Sequence, residues 1–441
     1  METTAETNGN AGLSVTIKPY YILIFDTKRS FVFYNSAYFV SAKEGSLILT
    51  FTNAYIYTAE GSPIECGYLR TEGKIIIDVG DMSSFTAGDG EQIEDLCGRS
   101  IYPGFIDAHT HLGMWDDGLG FEGDDGNEDS DPVTASLRAI DAINSFDRCF
   151  AEAHSAGVTT VVTGPGSANP IGGSMAAIKT TGGRVDKLIV KSPVSIKMAL
   201  GENPKTTYHG KDESPVTRMA TAGIIREALV KAKRYAQDIE RASEDEDFDL
   251  PEFDADCEAL LPVIRGELPV HIHAHRRDDI FTAVRIAEEF SLDYVLVHAT
   301  EGYMCASDLS ECGARIFSGP LLCDRSKPEL VNLTPASAGI LDKAGIKSAI
   351  ITDHPETPIQ YLAICAGLAV REGMDHDSAI KAITINPAEI LGIADRVGSI
   401  KSGKDADFSI FPRGCDPLTL AAKPDEVYID GKAVFKSSQH N

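Results

Sequence analysis

His109 and His111 stand two residues apart at the end of the apolar run Ile101-Tyr102-Pro103-Gly104-Phe105-Ile106. A run of this kind reads as a buried β-strand, on which alternate side chains point the same way. Both imidazoles therefore face one spot at the strand's C-terminal end. Two converging neutral imidazoles are half of a zinc or similar transition-metal site, although the same pair also occurs by chance on strands.

Other groups suited to metal chemistry recur at the ends of later apolar segments. Lys197 sits in the segment 194–199, His273 near the end of 268–274, His298 at the end of 293–298 and Asp353 at the end of 347–353. Each has an ordinary reading by itself: a hydrogen-bonded core histidine, a rim lysine, an aspartate capping a helix. Six such groups at the ends of separate strands point instead to one shared site.

The elements that must position them alternate between strand-like and helical stretches, the pattern of a parallel α/β architecture. Strands are expected at 105–111, 158–163, 194–199, 268–274, 293–298, 314–318 and 347–353, with a third in sequence order somewhere within 176–191. Helices are expected at 132–154, 216–239, 277–290 and 360–372. The span between the third and fourth strands is short for a full helix. Eight strands in this order read as a (β/α)8 TIM barrel, with its active site at the strands' C-terminal ends. The acidic stretch 243–256 reads as a solvated loop.

Strand-rich texture flanks this middle on both sides, at 47–99 and again at 406–411 and 426–435. The two segments are expected to build one small composite β-sandwich domain from both ends of the chain. The expected division is 47–101 and 395–441 for that domain and 102–394 for the barrel, with 1–46 an N-terminal extension outside the fold. Lys43-Glu44-Gly45 is encodable as a purine-rich ribosome-binding sequence, so translation starting near Leu47 is one reading and a genuine N-terminal arm the other.

With 43% hydrophobic and 24% charged residues, the 441-residue chain has the composition of a soluble globular protein. A formal charge of −26 argues against a nucleic-acid partner, which would require clustered Lys and Arg. Nine cysteines without a C-x-x-C pair read as reduced thiols. No apolar run is long enough to span a membrane. The first residues lack the basic start of a secretory signal, so the expected compartment is cytoplasmic.

The motif set resembles the amidohydrolase superfamily of metal-dependent hydrolases. The matching pieces are 103–111, Gly157-Val158-Thr159-Thr160-Val161, His273-Ala274-His275, Val297-His298, Ile351-Thr352-Asp353, and the 386–392 and 398–407 return toward the small β domain. Within that superfamily the chain is most similar to imidazolonepropionase-like and prolidase-like members. The resemblance implies that His109 and His111 bind the more buried metal and that His273 and His298 bind a second. It gives Asp353 to the first metal as the group that handles protons. Lys197 matches the position of a carboxylated lysine bridging two ions, and a lysine desolvated beside cations can add CO2 as the neutral amine. The competing arrangement leaves Lys197 an ammonium beside one metal held by His109, His111, His273 and Asp353. Zn2+, one or two ions, is the expected cofactor, with other divalent metals open.

The implied reaction is attack of a metal-activated hydroxide on the carbonyl of an amide or peptide-like C–N bond, with Asp353 as general base and then acid. The substrate is expected to be a small molecule such as an N-acyl amino acid or dipeptide. Tyr208, His275, Arg218 and Arg276 are the candidate substrate-binding residues, with Lys205, Arg325 and Lys327 as further rim cations. The acidic loop 115–131, with Asp116, Asp117, Glu122 and Asp129 among its carboxylates, either draws a basic substrate group or is merely solvated. Ring opening of an imidazolone at one metal is the alternative reaction. Heterocycle deamination is less well supported, because related deaminases place Glu where Arg276 stands. A non-catalytic scaffold is the remaining reading. A homo-oligomer is compatible with the sequence.

Overall fold

Eight strands follow one another around one sheet in chain order: Phe105–Thr110, Val158–Thr163, Ile171–Lys179, Ile189–Ala199, Val270–Ala274, Tyr294–His298, Ile316–Ser318 and Ser348–Ile350. They are seen in a computed structural model that describes residues 47–116 and 120–437. The expectations for residues 1–46, Asp117 and the last four residues lie outside the described residues. Most positions of these strands are buried, as expected of a sheet covered on both faces. The architecture is an α/β TIM-barrel-like fold.

One strand departs from the expected parallel repetition. Ile171–Lys179 runs antiparallel to both of its neighbours. A parallel return needs a crossover of a dozen or more residues, whereas an antiparallel pair needs only a turn. The connection 180–188 contains Gly182 and Gly183, both at positive φ, and makes that turn.

With only the 3-10 turn Val185–Lys187 between these two strands, another segment covers the third. Residues 132–154 were expected to be helical, but only Arg148–Ser155 forms an α-helix, capped by the Asp147 side chain on Cys149 N. The preceding stretch lies against the third strand, with bridges Val133 to Ile171 and Arg138 to Ser174. Its backbone donors and acceptors are used there, as in Thr134 N to Ile171 O at 3.0 Å and Ser174 N to Leu137 O at 2.8 Å. Arg218–Glu244, Arg277–Phe290 and Leu362–Arg371 are helices close to the expected bounds. The helix Ala255–Ile264, capped by Asp254, takes up the end of the acidic stretch read as a loop.

The seam between the last and first barrel strands is tied by side chains and an inserted segment. Asp107 Oδ2 accepts from Thr352 N and Thr352 Oγ1, at 3.0 and 2.6 Å. Ile106 N and Ile350 N donate to the carbonyls of Ile383 and Ala382, which lie between the two strands.

Strands from both ends of the chain meet in a second eight-stranded sheet. Ser100–Pro103 pairs with Phe408–Phe411 on one side and with Ile48–Ile56 on the other. Phe51, Phe408 and Tyr428 form its aromatic core, with ring centroids 4.7–5.3 Å apart. Lys179, at the end of the third barrel strand, is buried among Asp405, Asp407 and Asp430, 2.9 Å from Asp405 and 3.6 Å from Asp430. Among the described residues, no helix is long and apolar enough to cross a membrane.

Candidate metal centre

His109 lies in the first barrel strand and His111 one residue beyond it, where His111 N donates to His354 O at 2.9 Å. The period of two and this tie to the turn after the last strand aim both Nε2 atoms at Asp353 Oδ1, each at 3.4 Å. His298 Nε2 is 3.9 Å from Asp353 Oδ2. Lys197 Nζ lies 3.5 Å from His109 Nε2 and donates to Ser167 Oγ at 2.8 Å, and Ser167 Oγ lies 2.9 Å from His273 Nδ1. The fold thus gathers all six expected groups from five barrel strands or the turns after them. Two sets of three have ligand atoms within 4.8 Å of one another: His109, His298 and Asp353, and His273, His275 and His298.

The ring orientations are imposed from behind. His111 Nδ1 meets Gly164 O and His298 Nδ1 meets Gly319 O, each at 2.7 Å. A carbonyl only accepts, so both rings carry the proton on Nδ1 and turn the Nε2 lone pair inward. His275 Nδ1 rests on Thr300 Oγ1 at 2.7 Å. Gly319 has no space for a side chain, since a Cβ there would sit 2.3 Å from Ile351 O. His298 and Asp353 both have left-handed backbones, φ 69° and 53°, a strained state costing about 1–3 kcal/mol each that surrounding structure must impose.

Burial sets the protonation. It holds His109, His273 and His275 well below the ordinary imidazole value, brings His298 down to about 4 and brings the Lys197 ammonium down to about 8. Burial works against the Asp353 carboxylate, yet His298, His111 and Lys197 outweigh it and leave Asp353 below its usual range. Neutral imidazoles around an ionised carboxylate are the forms that bind a cation. His273 Nε2 and Asp353 Oδ1 are buried without a hydrogen-bond partner, a costly condition that a bound cation relieves for atoms facing it. The donor set therefore fits a divalent metal.

Above these groups lies a cavity of about 650 Å3, floored by His111, His273, His275 and Asp353 and walled in part by Trp115 and Lys327. Of the residues expected to contact substrate, His275 lines it. Tyr208 does not: it is fully buried, and its hydroxyl accepts from Asn169 Nδ2 at 3.3 Å. Arg218 is held by Asp279 at 2.9 Å and Arg276 by Asp278 at 2.8 Å, and neither lines the cavity. In both cases a nearer carboxylate takes the guanidinium. Among the rim cations, Lys327 reaches the cavity while Arg325 donates to Leu333 O. The acidic loop contributes Trp115 and Asn127 to the lining, whereas Asp116 accepts from Asn144 and Asp129 pairs with Lys211.

Sequence reasoning missed Glu329. It is 1% exposed, with Oε1 3.7 Å from His275 Nε2 and 3.9 Å from His273 Nε2. Burial alone would raise its carboxyl, but His275 and Lys327 hold it below the usual range. It sits in the single 3-10 turn Pro328–Leu330, too short for any periodicity to mark an inward residue. The bridging position of Ser167 was missed for the same lack of periodicity.

Residues 250–434 match the sequence pattern of the family described as Amidohydrolase family. The chain is similar to an amidohydrolase from Thermotoga maritima of known structure, at 39% identity and a TM-score of 0.84, over 88% of this chain and 100% of that one. It is 32% identical over 367 residues to amidohydrolase tasK of Hapsidospora irregularis, over 78% of this chain but only 37% of the length of that protein. It is 24% identical over 383 residues to an imidazolonepropionase of Mesorhizobium japonicum, over 79% of this chain and 87% of that one.

Proposed function

The chain belongs to the amidohydrolase family, and from that premise we propose that it hydrolyses an amide or peptide-like C–N bond in a small molecule such as an N-acyl amino acid or a dipeptide. The observation that carries this reading is the clustering of four imidazoles, an amine and a carboxylate, of which His111, His273 and Asp353 face one cavity, with buried donor atoms left unpaired. A cavity of about 650 Å3 suits a small molecule.

In this reading His109, His111 and Asp353 hold one divalent cation, Zn2+ being the first expectation, and His273 and His298 hold a second. Such a cation supplies an acidified water and polarises a carbonyl. Lys197, with its amine brought down to about 8 by burial, is the group positioned to take up CO2 as a carbamate. Asp353 accepts a proton from the attacking water and returns it to the leaving nitrogen. Lys327 lines the cavity wall while paired with Glu329 and Asn203, and in this reading its remaining N–H meets a substrate carboxylate. The strands of 47–101 and 395–441 serve in this reading as a small β-sandwich domain that braces the barrel of 102–394.

The test is hydrolysis of a panel of N-acyl amino acids and dipeptides before chelation, after it, and after metal is returned. Turnover is expected to vanish and reappear. Undiminished hydrolysis by protein shown to be metal-free overturns the reading. Relatives named imidazolonepropionase favour a second reading, ring opening of a cyclic amide at a single metal. One metal per chain with an unmodified Lys197 selects that alternative.

A further inference from the structure

His273, His275 and His298 gather three buried imidazoles whose ligand atoms lie within 4.8 Å of one another. His298 donates from Nδ1 to Gly319 O, which turns its Nε2 lone pair inward, and His275 holds Thr300 Oγ1 with Nδ1 and directs Nε2 toward Glu329. His273 Nε2 is buried and has no hydrogen-bond partner. Three neutral donors leave a dication's charge uncompensated among buried side chains, and an anionic donor offsets it. Asp353 belongs to the other group of ligands. The buried carboxylate on this side is Glu329, with Oε1 3.9 Å from His273 Nε2 and 3.7 Å from His275 Nε2. Donors of a tetrahedral zinc, bound at about 2.0–2.1 Å, lie about 3.4 Å apart; Glu329 Oε1 is already near that spacing from His273 and His275, and the imidazole donors, within 4.8 Å of one another, draw in to reach it.

Glu329 is already fixed for this task. Its Oε2 accepts from Glu202 N at 3.1 Å, which directs Oε1 at the imidazoles. Lys327 Nζ also approaches Oε1, at 3.0 Å, and a carboxylate oxygen has a second lone pair to offer. We propose that His273, His275, His298 and Glu329 form the second cation site, with Glu329 as its anionic ligand, so that this site does not depend on chemical change at Lys197. The inference rests on the reading above that the cavity holds divalent cations.

The test is Co2+ uptake by the full chain after chelation, read as metal per chain by elemental mass spectrometry and as the visible ligand-field spectrum. Wild type is expected to take up two equivalents. Glu329→Gln and His275→Asn should each weaken the second equivalent by at least about 100-fold and keep the first, while Lys197→Met should keep the second. The Gln oxygen still accepts from Glu202 N, and His275→Asn gives an independent reading if E329Q fails to fold. Two equivalents bound with wild-type affinity by both variants overturn the assignment, as does loss of the second equivalent in K197M. A wild-type chain that takes up one equivalent overturns it as well but spares single-metal hydrolysis, whereas no uptake removes the functional reading with it.

Discussion

Asp107 and Thr352 join the first and last barrel strands directly below the candidate metal centre, through two hydrogen bonds to one carboxylate oxygen. The other oxygen accepts from His109 N at 3.3 Å. Asp107 thus holds the backbone of one expected ligand and, through Thr352, the residue preceding another.

Asp107→Asn removes one of these acceptors and leaves a buried donor unpaired. The expected cost is about 1–3 kcal/mol of stability, together with about 10- to 100-fold weaker metal binding. Urea unfolding and Co2+ titration read the two effects separately, and an unchanged affinity would show that the seam does not position the ligands.

Asp353→Asn keeps the imidazoles in place but removes the proton-handling oxygen. Metal content is expected to persist while turnover falls by about 100- to 10,000-fold. Normal turnover in this variant would contradict the role given to Asp353.

Lys179→Met strips the ammonium from Asp405, Asp407 and Asp430 in the buried contact between the barrel and the second sheet. Breaking a buried ion pair on one side costs about 3–5 kcal/mol. The low end is expected, because Arg396 still pairs with Asp405 and Lys74 with Asp430. The shift in urea midpoint measures it.

Glu60 connects the two halves of the second sheet by accepting from Lys401, Lys404 and Ser399, which bring its carboxyl down from 4.5 to about 2. A depressed carboxylate contributes stability above its unfolded value and loses it as pH falls through the folded one. The stability gap between wild type and Glu60→Gln is therefore widest above pH 4.5 and closes toward pH 2. Added salt narrows it, since Glu60 is partly exposed. A gap that does not change with pH would refute the linkage.

The groups that the fold gathers were legible wherever a strand period fixed their direction. His109 and His111 share one face by alternation, and Lys197, His273, His298 and Asp353 fall at or just beyond strand ends. The reversed third strand was not read, because a buried apolar run looks the same in either direction and only the short glycine-containing connection hinted at a hairpin. The segment 132–147 carried helix-like spacing, but its backbone is claimed by Ile171 and Ser174 of that strand. Glu329, Arg218 and Arg276 show the limit most directly. Where a loop or rim side chain ends up depends on its nearest opposite charge, and tertiary folding sets that neighbour.

The excursion between the first two barrel strands reaches the cavity through Trp115 and Asn127 and then lies along the third strand through Val133 and Arg138. One stretch of polypeptide is therefore both doorway and masonry. Swapping it for a relative's loop to alter selectivity would also unclad the barrel flank, so specificity here cannot be exchanged as a detachable module.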